Sequence, residues 1–136
     1  MKAIFVDTSY WIAITYPTDS LYPMAHALAT RYANTKLITS EMVLTEYLNG
    51  ASSQGSYFRM RAAQFVANLL KSPRVEVAST TRSTFTAALS LYNSRADKEW
   101  SLTDCASINI CNDFGIEQVL THDHHFTQAG LVALMR

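Results

Sequence analysis

Residues 4–9 read Ile4-Phe5-Val6-Asp7-Thr8-Ser9, and this short apolar run ending in an acid decides the fold. The apolar residues predict a buried strand, which places Asp7 at its carboxyl end. Open α/β sheets bind ligands in the crevice beyond the carboxyl ends of their strands. Asp7 therefore lies where this architecture places a functional acid. The competing interpretation is that Asp7 only caps the helix that follows.

The composition is that of a folded chain. Its 136 residues, 49% hydrophobic and 16% charged, fit one domain over residues 1–136. Basic and acidic residues number 11 each, which argues against binding nucleic acid through bulk charge but allows a local basic rim. The N-terminal apolar run is too short for a signal peptide, and no run is long enough to cross a membrane. We therefore expect a cytoplasmic protein.

Strand and helix signals alternate along the chain and predict a parallel sheet with helices on both faces. Strands are predicted at residues 3–6, 36–39, 74–78, 118–121 and 131–134. The expected fold class is α/β, a three-layer α/β/α domain with a central, mostly parallel sheet of four to five strands.

Local signals mark the ends and faces of several helices. Ser40 is a predicted cap, Thr80 or Thr81 is another, and Gly115 suits the left-handed residue that ends a helix. The helix after Thr81 carries an apolar set expected to face inward: Phe85, Ala88, Leu89 and Tyr92. Cys105 and Cys111 fall on different faces of one helix and are expected to be small core residues.

Four acids lie where such a fold gathers side chains: Asp7, Glu46, Asp104 and Asp123. Asp7 and Asp123 follow strands. Glu46 and Asp104 lie on helices beside small or apolar residues, which predicts that they face inward. Each also has a plain interpretation: a helix cap, a solvated helix residue, a first-turn charge beside a Thr103 cap, and a loop acid. The topology nevertheless converges all four positions on one edge of the sheet.

Clustered carboxylates repel one another unless a hard cation lies between them. Oxygen ligands suit Mg²⁺ or Mn²⁺, and such ions can stabilise both the attacking and the leaving oxygen in phosphodiester cleavage. The sequence contains no Gly-rich phosphate loop, GxSxG elbow or HExxH motif. If repulsion dominates, Asp104→Asn leaves metal-free stability unchanged or raises it.

At these acids the chain resembles the PIN-domain ribonucleases, and most of all the VapC-type toxins of prokaryotic toxin–antitoxin pairs. The matching segments occur in the family's order over essentially the whole chain. They are Phe5-Val6-Asp7-Thr8-Ser9, Thr45-Glu46-Tyr47-Leu48, Trp100-Ser101-Leu102-Thr103-Asp104-Cys105 and Leu120-Thr121-His122-Asp123-His124-His125-Phe126.

The resemblance implies a Mg²⁺- or Mn²⁺-dependent endoribonuclease that hydrolyses RNA phosphodiester bonds with metal-activated water. It also implies a homodimer and inhibition by a cognate antitoxin. Asp7 and Asp104 match direct metal ligands of the family. Glu46 and Asp123 match further ligands or residues that orient the water, and Thr8 matches a hydroxyl residue that supports the site.

Three basic side chains are candidates for contacts with RNA or the antitoxin: Arg59, Arg61 and His122. A solvated helix face is the plain interpretation of the two arginines. His122, His124 and His125 resemble a zinc cluster, but sequential histidines rarely point to one centre, so contact with a phosphate or a solvated loop is expected instead.

Three more residues near the motifs invite a functional interpretation. Asp97 could be a peripheral acid of the site, but a solvated loop position is favoured. Tyr10 and Trp11 could stack on a base, but packing in the core or at a dimer interface is favoured.

Two other functions compete with the ribonuclease. A phosphatase with Asp7 as nucleophile ordinarily needs a second acid two residues later, where this chain has Ser9. A non-catalytic module that binds RNA or protein is the other alternative, and the four acids argue against it.

Overall fold

The computed structural model describes residues 2–136, and within them a five-stranded, all-parallel sheet forms the centre of the molecule. The strand order is β3-β2-β1-β4-β5. The strands are β1 (Ile4–Val6), β2 (Leu37–Ser40), β3 (Val75–Ala78), β4 (Gln118–Leu120) and β5 (Val132–Ala133). The predicted α/β class is confirmed, and each predicted strand is present with bounds that differ by one or two residues.

Seven helices flank this sheet in the part of the chain from residue 2 onward. They are α1 (Thr8–Thr15), α2 (Tyr22–Arg31), α3 (Glu41–Ala51), α4 (Ser56–Lys71), α5 (Arg82–Ser94), α6 (Leu102–Phe114) and α7 (His125–Gln128). Among the residues described, no helix has the length and apolar character needed to cross a bilayer.

The helix ends follow local chemistry. The Ser40 hydroxyl accepts a hydrogen bond from the Val43 N–H, which caps α3 as predicted. Thr81, rather than Thr80, caps α5 and forms a reciprocal capping box with Thr84. Gly115 ends α6 with a φ of +66°, a left-handed conformation that glycine adopts without a Cβ clash.

The central strand β1 is fully buried because it has a neighbouring strand on each side and helices on both faces. Tyr10 and Trp11, which follow it, are also buried, and the Trp11 indole N–H donates to the Thr39 hydroxyl. The favoured interpretation of these two aromatic residues as core is confirmed. Cys105 and Cys111 are buried free thiols, as expected.

The order of the strands creates one particular crevice. From β1 the chain adds β2 and β3 on one side, and later returns to add β4 and β5 on the other. The direction in which strands are added to the sheet therefore reverses between β1 and β4, where Val6 pairs with Leu120. In open α/β sheets this switch point is where ligands bind. Asp7 and Thr121, the next residues along, lie side by side at it.

The inward face predicted for α5 is wrong for three of its four residues. Ala88 is buried, but Phe85, Leu89 and Tyr92 are 41%, 49% and 53% exposed. Their spacing of four and three residues places them along one side of the helix, next to the buried Ala88. The apolar stripe on α5 is therefore a surface feature.

Candidate active site

Asp7 is held at the switch point by hydroxyl groups. The Thr121 hydroxyl donates to Asp7 Oδ2 over 2.8 Å, and the Ser9 hydroxyl lies 3.4 Å from the same oxygen. Asp7 occupies the position before α1, yet within the described chain its carboxylate makes no capping hydrogen bond to that helix. The side chain is only 5% exposed. A helix cap therefore does not explain this acid.

Burial raises the pKa of the Asp7 carboxyl to about 6 from an ordinary value of 3.8. The hydrogen bond from Thr121 opposes this rise, while the charges of Asp104 and Glu46 add to it. The protein thus keeps a carboxylate in a place that disfavours its charge. Such a perturbed acid in a crevice is typical of a functional site.

Asp104 opens α6 beside Asp7 and is 8% exposed. Ser101, rather than the expected Thr103, is the N-cap of this helix. Its hydroxyl accepts from the Asp104 N–H, and Asp104 Oδ2 accepts from the Ser101 N–H over 3.1 Å. The same oxygen lies 2.9 Å from Nδ1 of His125. The interpretation of Asp104 as a charge in the first turn of α6 is therefore confirmed. Its charge also acts on Asp7, which that interpretation does not include.

These contacts reverse the expectation for Asp104→Asn in metal-free buffer. Asp104→Ala removes the capping box and the His125 partner, so we expect a loss of about 1–2 kcal/mol in the free energy of unfolding. Asp104→Asn should lose less, because its amide oxygen can still accept from the Ser101 N–H. Urea unfolding measures both. Asp113→Asn, an exposed acid in the last turn of α6, is the control and should not destabilise. Unchanged stability in Asp104→Ala would contradict the structural role.

Asp123 joins the site through two neighbours. Its Oδ1 accepts from the His125 N–H over 2.9 Å and lies 3.2 Å from His125 Nδ1, so His125 connects Asp123 to Asp104. The Asp123 N–H donates to the Thr121 hydroxyl, which in turn donates to Asp7. Asp123 is half-buried. One hydrogen-bonded chain therefore links three of the four acids.

Glu46 is exposed, so the expectation that it faces inward is wrong. It lies on α3, which packs against α6, and its charge acts on Asp7. Glu46 and Thr103 line the same surface groove of about 660 Å³. The structure thus brings Glu46 to the open side of the acids rather than beneath them. The groove is also lined by other residues of α3, by Val66 and Leu70 of α4, and by Phe85 of α5.

Sequence reasoning missed three supporting side chains: Ser9, Thr121 and His125. It singled out Thr8, whose hydroxyl lies 3.5 Å from the Val43 carbonyl, and His122, whose Nδ1 faces the Met135 carbonyl at 2.8 Å. The pairing of β1 with β4 could have indicated Thr121, because the residue after each strand lies at the same edge. His125 had no such signal, since its role depends on the turn that begins α7.

Two of the three histidines converge with Asp123. Ligand atoms of Asp123, His124 and His125 all lie within 4.8 Å of one another, and the two imidazole rings are 4.6 Å apart. The expectation that neighbouring histidines diverge therefore applies to His122 only.

The remaining candidates are exposed. Arg61 stacks on Tyr57 of the same helix, and Arg59 donates to the Ser52 carbonyl. Asp97 pairs with Arg95 and Lys98, and the hydrogen bonds from Arg95 lower its pKa to about 2. Asp97 is thus the solvated loop acid that was favoured.

The side chains at the switch point fit a hard divalent cation. Their carboxylates are oxygen ligands, and a cation there would offset both the burial of the Asp7 charge and its repulsion by Asp104 and Glu46, which together raise the pKa of Asp7. The nearby thiols are poor ligands, because burial and the charge of Asp7 raise the pKa of Cys111 to about 12. Asp7, Asp104, Glu46 and Asp123 are the residues that would hold the ion.

Comparison with known proteins gives a consistent result. The VapC20 toxin of Mycobacterium tuberculosis, described as cleaving the sarcin–ricin loop, superposes with a TM-score of 0.81 at 27% identity, covering 95% of this chain and 96% of that one. VapBC2 from Rickettsia felis, solved bound to a DNA fragment from its promoter, gives 0.65 at 14% identity, covering 96% of each chain. No curated protein matches the sequence significantly.

The structural likeness agrees with the resemblance to VapC-type toxins that the sequence motifs indicated. Residues 4–131 match the family described as PIN domain, a span that includes all four acids and every strand except the last. This match, together with the sheet order and the placement of the acids, establishes that the chain belongs to the PIN-domain family.

Proposed function

We propose that this protein is a Mg²⁺- or Mn²⁺-dependent endoribonuclease and the toxin of a toxin–antitoxin pair. One observation carries the proposal: a buried carboxylate, Asp7, lies at the switch point with the charges of Asp104 and Glu46 acting on it. The family match and the likeness to VapC20 support a nuclease toxin. The metal requirement rests on the chemistry of the oxygen donors.

In this proposal each acid has a separate task. Asp7 and Asp104 are the more buried pair and hold the cation, while Glu46 at the opening and Asp123 beyond His125 orient the attacking water or complete the ligand set. A bound divalent cation supplies an activated water and offsets charge on the scissile phosphate. Thr121 and Ser9 fix Asp7 Oδ2, and His125 fixes Asp104, so the carboxylates need little rearrangement during reaction.

The proposed substrate is RNA, and two basic side chains lie in the loop before α6 despite the neutral total. Arg95 and Lys98 lie in the loop before Ser101, and Arg95 stacks on Trp100 with 5.0 Å between its guanidinium carbon and the ring centre. Asp97 and Glu99 in the same loop balance the charge of these two residues. Arg59 and Arg61 remain candidates for RNA or antitoxin contacts. The predicted cytoplasmic location follows from such a substrate.

The chemistry of the product ends tests the reaction. Attack by water with a ribose 3′-oxygen as leaving group gives a 5′-phosphate and a 3′-hydroxyl, so we expect 5′-phosphate ends that accept ligation without prior phosphorylation. Sequencing such ends from cells that express the wild type or Asp7→Asn also reveals the target RNA. A 2′,3′-cyclic phosphate at the cleavage sites would refute the mechanism.

The two competing functions find less support. A phosphatase with Asp7 as nucleophile lacks the second acid, and Ser9 lies hydrogen-bonded beside Asp7 in its place. Covalent trapping of a phosphate analogue on Asp7 would support the phosphatase instead. A non-catalytic binding module has no need to keep a carboxylate at a position that raises its pKa.

The proposed partners are a cognate antitoxin and a second copy of this chain. We assign the second copy to the apolar stripe of α5, formed by Phe85, Leu89 and Tyr92, because exposed apolar residues aligned on one helix mark an interaction surface. The stripe contains no acid, but Phe85 lines the same groove as Glu46, so a dimer formed there would adjoin that side of the site.

Leu89→Glu should therefore convert a dimer to a monomer without lowering the melting temperature of the chain by more than a few degrees. Light scattering with size-exclusion chromatography measures the mass. Ser90→Glu, a neighbouring substitution on the same helix, is the control for added charge. A wild type that is monomeric at all concentrations, or a dimer that survives in Leu89→Glu, would assign the stripe to the antitoxin or to nothing.

A further inference from the structure

We propose that Asp123, His124 and His125 form a second metal site, selective for a transition-metal ion such as Zn²⁺, whose occupation inhibits the acid site. Within residues 2–136, these three residues each place a ligand atom within 4.8 Å of the ligand atoms of the other two. The two rings approach Asp123 from neighbouring positions at the start of α7.

The distances suit tetrahedral coordination. With bonds of about 2.0–2.1 Å to zinc, adjacent ligand atoms of a tetrahedron lie about 3.3 Å apart. Asp123 Oδ1 lies 3.2 Å from His125 Nδ1 and 3.7 Å from His124 Nδ1. The third separation is within 4.8 Å. Small rotations of two side chains would close the set, leaving the fourth position to water.

The donor types separate this site from the one formed by the acids. Two imidazoles and one carboxylate favour Zn²⁺ and its neighbours in the transition series, whereas Mg²⁺ prefers oxygen ligands. Both sites share Asp123, but His124 contributes only to the second. Mg²⁺ in excess and Zn²⁺ in trace amount should therefore compete directly for Asp123, the shared ligand. They should compete little for the other ligands of either site.

Inhibition follows from the position of His125. Its Nδ1 is the atom that faces both Asp123 and Asp104 Oδ2, the latter at 2.9 Å. A nitrogen whose lone pair coordinates an ion cannot also hydrogen-bond to Asp104. Filling the second site would thus remove Asp123 from the acid set and release Asp104 from its positioning partner in one step.

Binding is tested without RNA, so this part stands or falls independently of the proposed ribonuclease activity. Co²⁺ is titrated into the metal-free protein in excess Mg²⁺, and the visible absorption of tetrahedral cobalt is followed and then displaced by Zn²⁺. We expect one ion per chain. His124→Asn, a change at a half-exposed ring, should weaken binding by at least about tenfold. His122→Asn, whose ring faces Met135, is the matched control and should bind normally.

The inhibitory role is tested by cleavage in Mg²⁺ with added Zn²⁺. At a Zn²⁺ concentration that slows the wild type about tenfold, His124→Asn should keep most of its activity, because the second site is weakened. Equal binding in the wild type and His124→Asn, or no tetrahedral cobalt spectrum, would overturn the site. Equal inhibition of both proteins would overturn its regulatory role.

Discussion

Asp7→Asn should reduce RNA cleavage by at least about 100-fold at saturating Mg²⁺, because the amide lacks the negative charge that binds a divalent cation. The substitution conserves size, and the Thr121 hydroxyl can still donate to the side-chain oxygen. The loss should therefore occur in a folded protein, which circular dichroism verifies. The rate is measured with a labelled RNA identified by mapping 5′-phosphate ends.

Asp97→Asn is the matched control for this result. It removes one negative charge from an exposed loop, where Asp97 pairs with Arg95 and Lys98. Releasing the Arg95 and Lys98 side chains from this pairing should leave cleavage unchanged or raise it slightly. If Asp7→Asn kept near-normal activity, the switch point would not be the reaction centre and the four-acid proposal would fail.

The second large effect concerns stability and pH. In metal-free buffer the wild type should lose about 3 kcal/mol of unfolding free energy as pH rises from below 4 to above 6, through Asp7 alone. The folded-state pKa is about 6, above the ordinary value of 3.8. Below the lower value the group is protonated in both states, and there is no penalty. Above the higher value it is ionised in both, and the folded state bears the full cost of the buried charge.

Urea unfolding at several pH values, with a chelator present, measures this loss. Asp7→Asn cannot ionise there, so its stability should change less over the same window, and it should exceed the wild type at pH 7. Excess Mg²⁺ should restore much of the wild-type loss by binding the folded state, and little in the variant. Parallel pH dependence of the unfolding free energy in the two proteins would mean that burial does not raise the pKa of Asp7.

The sequence predicted the sheet well because short apolar runs between helices leave few alternatives. β1, with three apolar residues before Asp7, is fixed by burial on both faces. Gly115 was equally clear, since a left-handed helix end favours that residue. Neither conclusion needed information from distant parts of the chain.

The errors concern rotation and local turns. The apolar residues of α5 form a broad stripe, and periodicity alone could not decide whether Ala88 or Phe85 faces the neighbouring helix α6. Glu46 was placed inward because its helix neighbours are apolar, but α3 begins at the carboxyl edge of the sheet and solvent reaches the side that carries Glu46. The roles of Ser101 and His125 arise from capping and from the turn before α7, which hydrophobic patterns do not describe.

The pairing of β1 with β4 also determines when the site can exist. The hydrogen bond between Asp7 and Thr121 joins residues 114 positions apart, and pairing over such separations forms late because a long loop must close first. During synthesis, a chain that lacks β4 has β1 but lacks the neighbouring strand and Thr121, which holds Asp7. The proposed capacity to cut RNA would then arise only once β4 and Thr121 are in place.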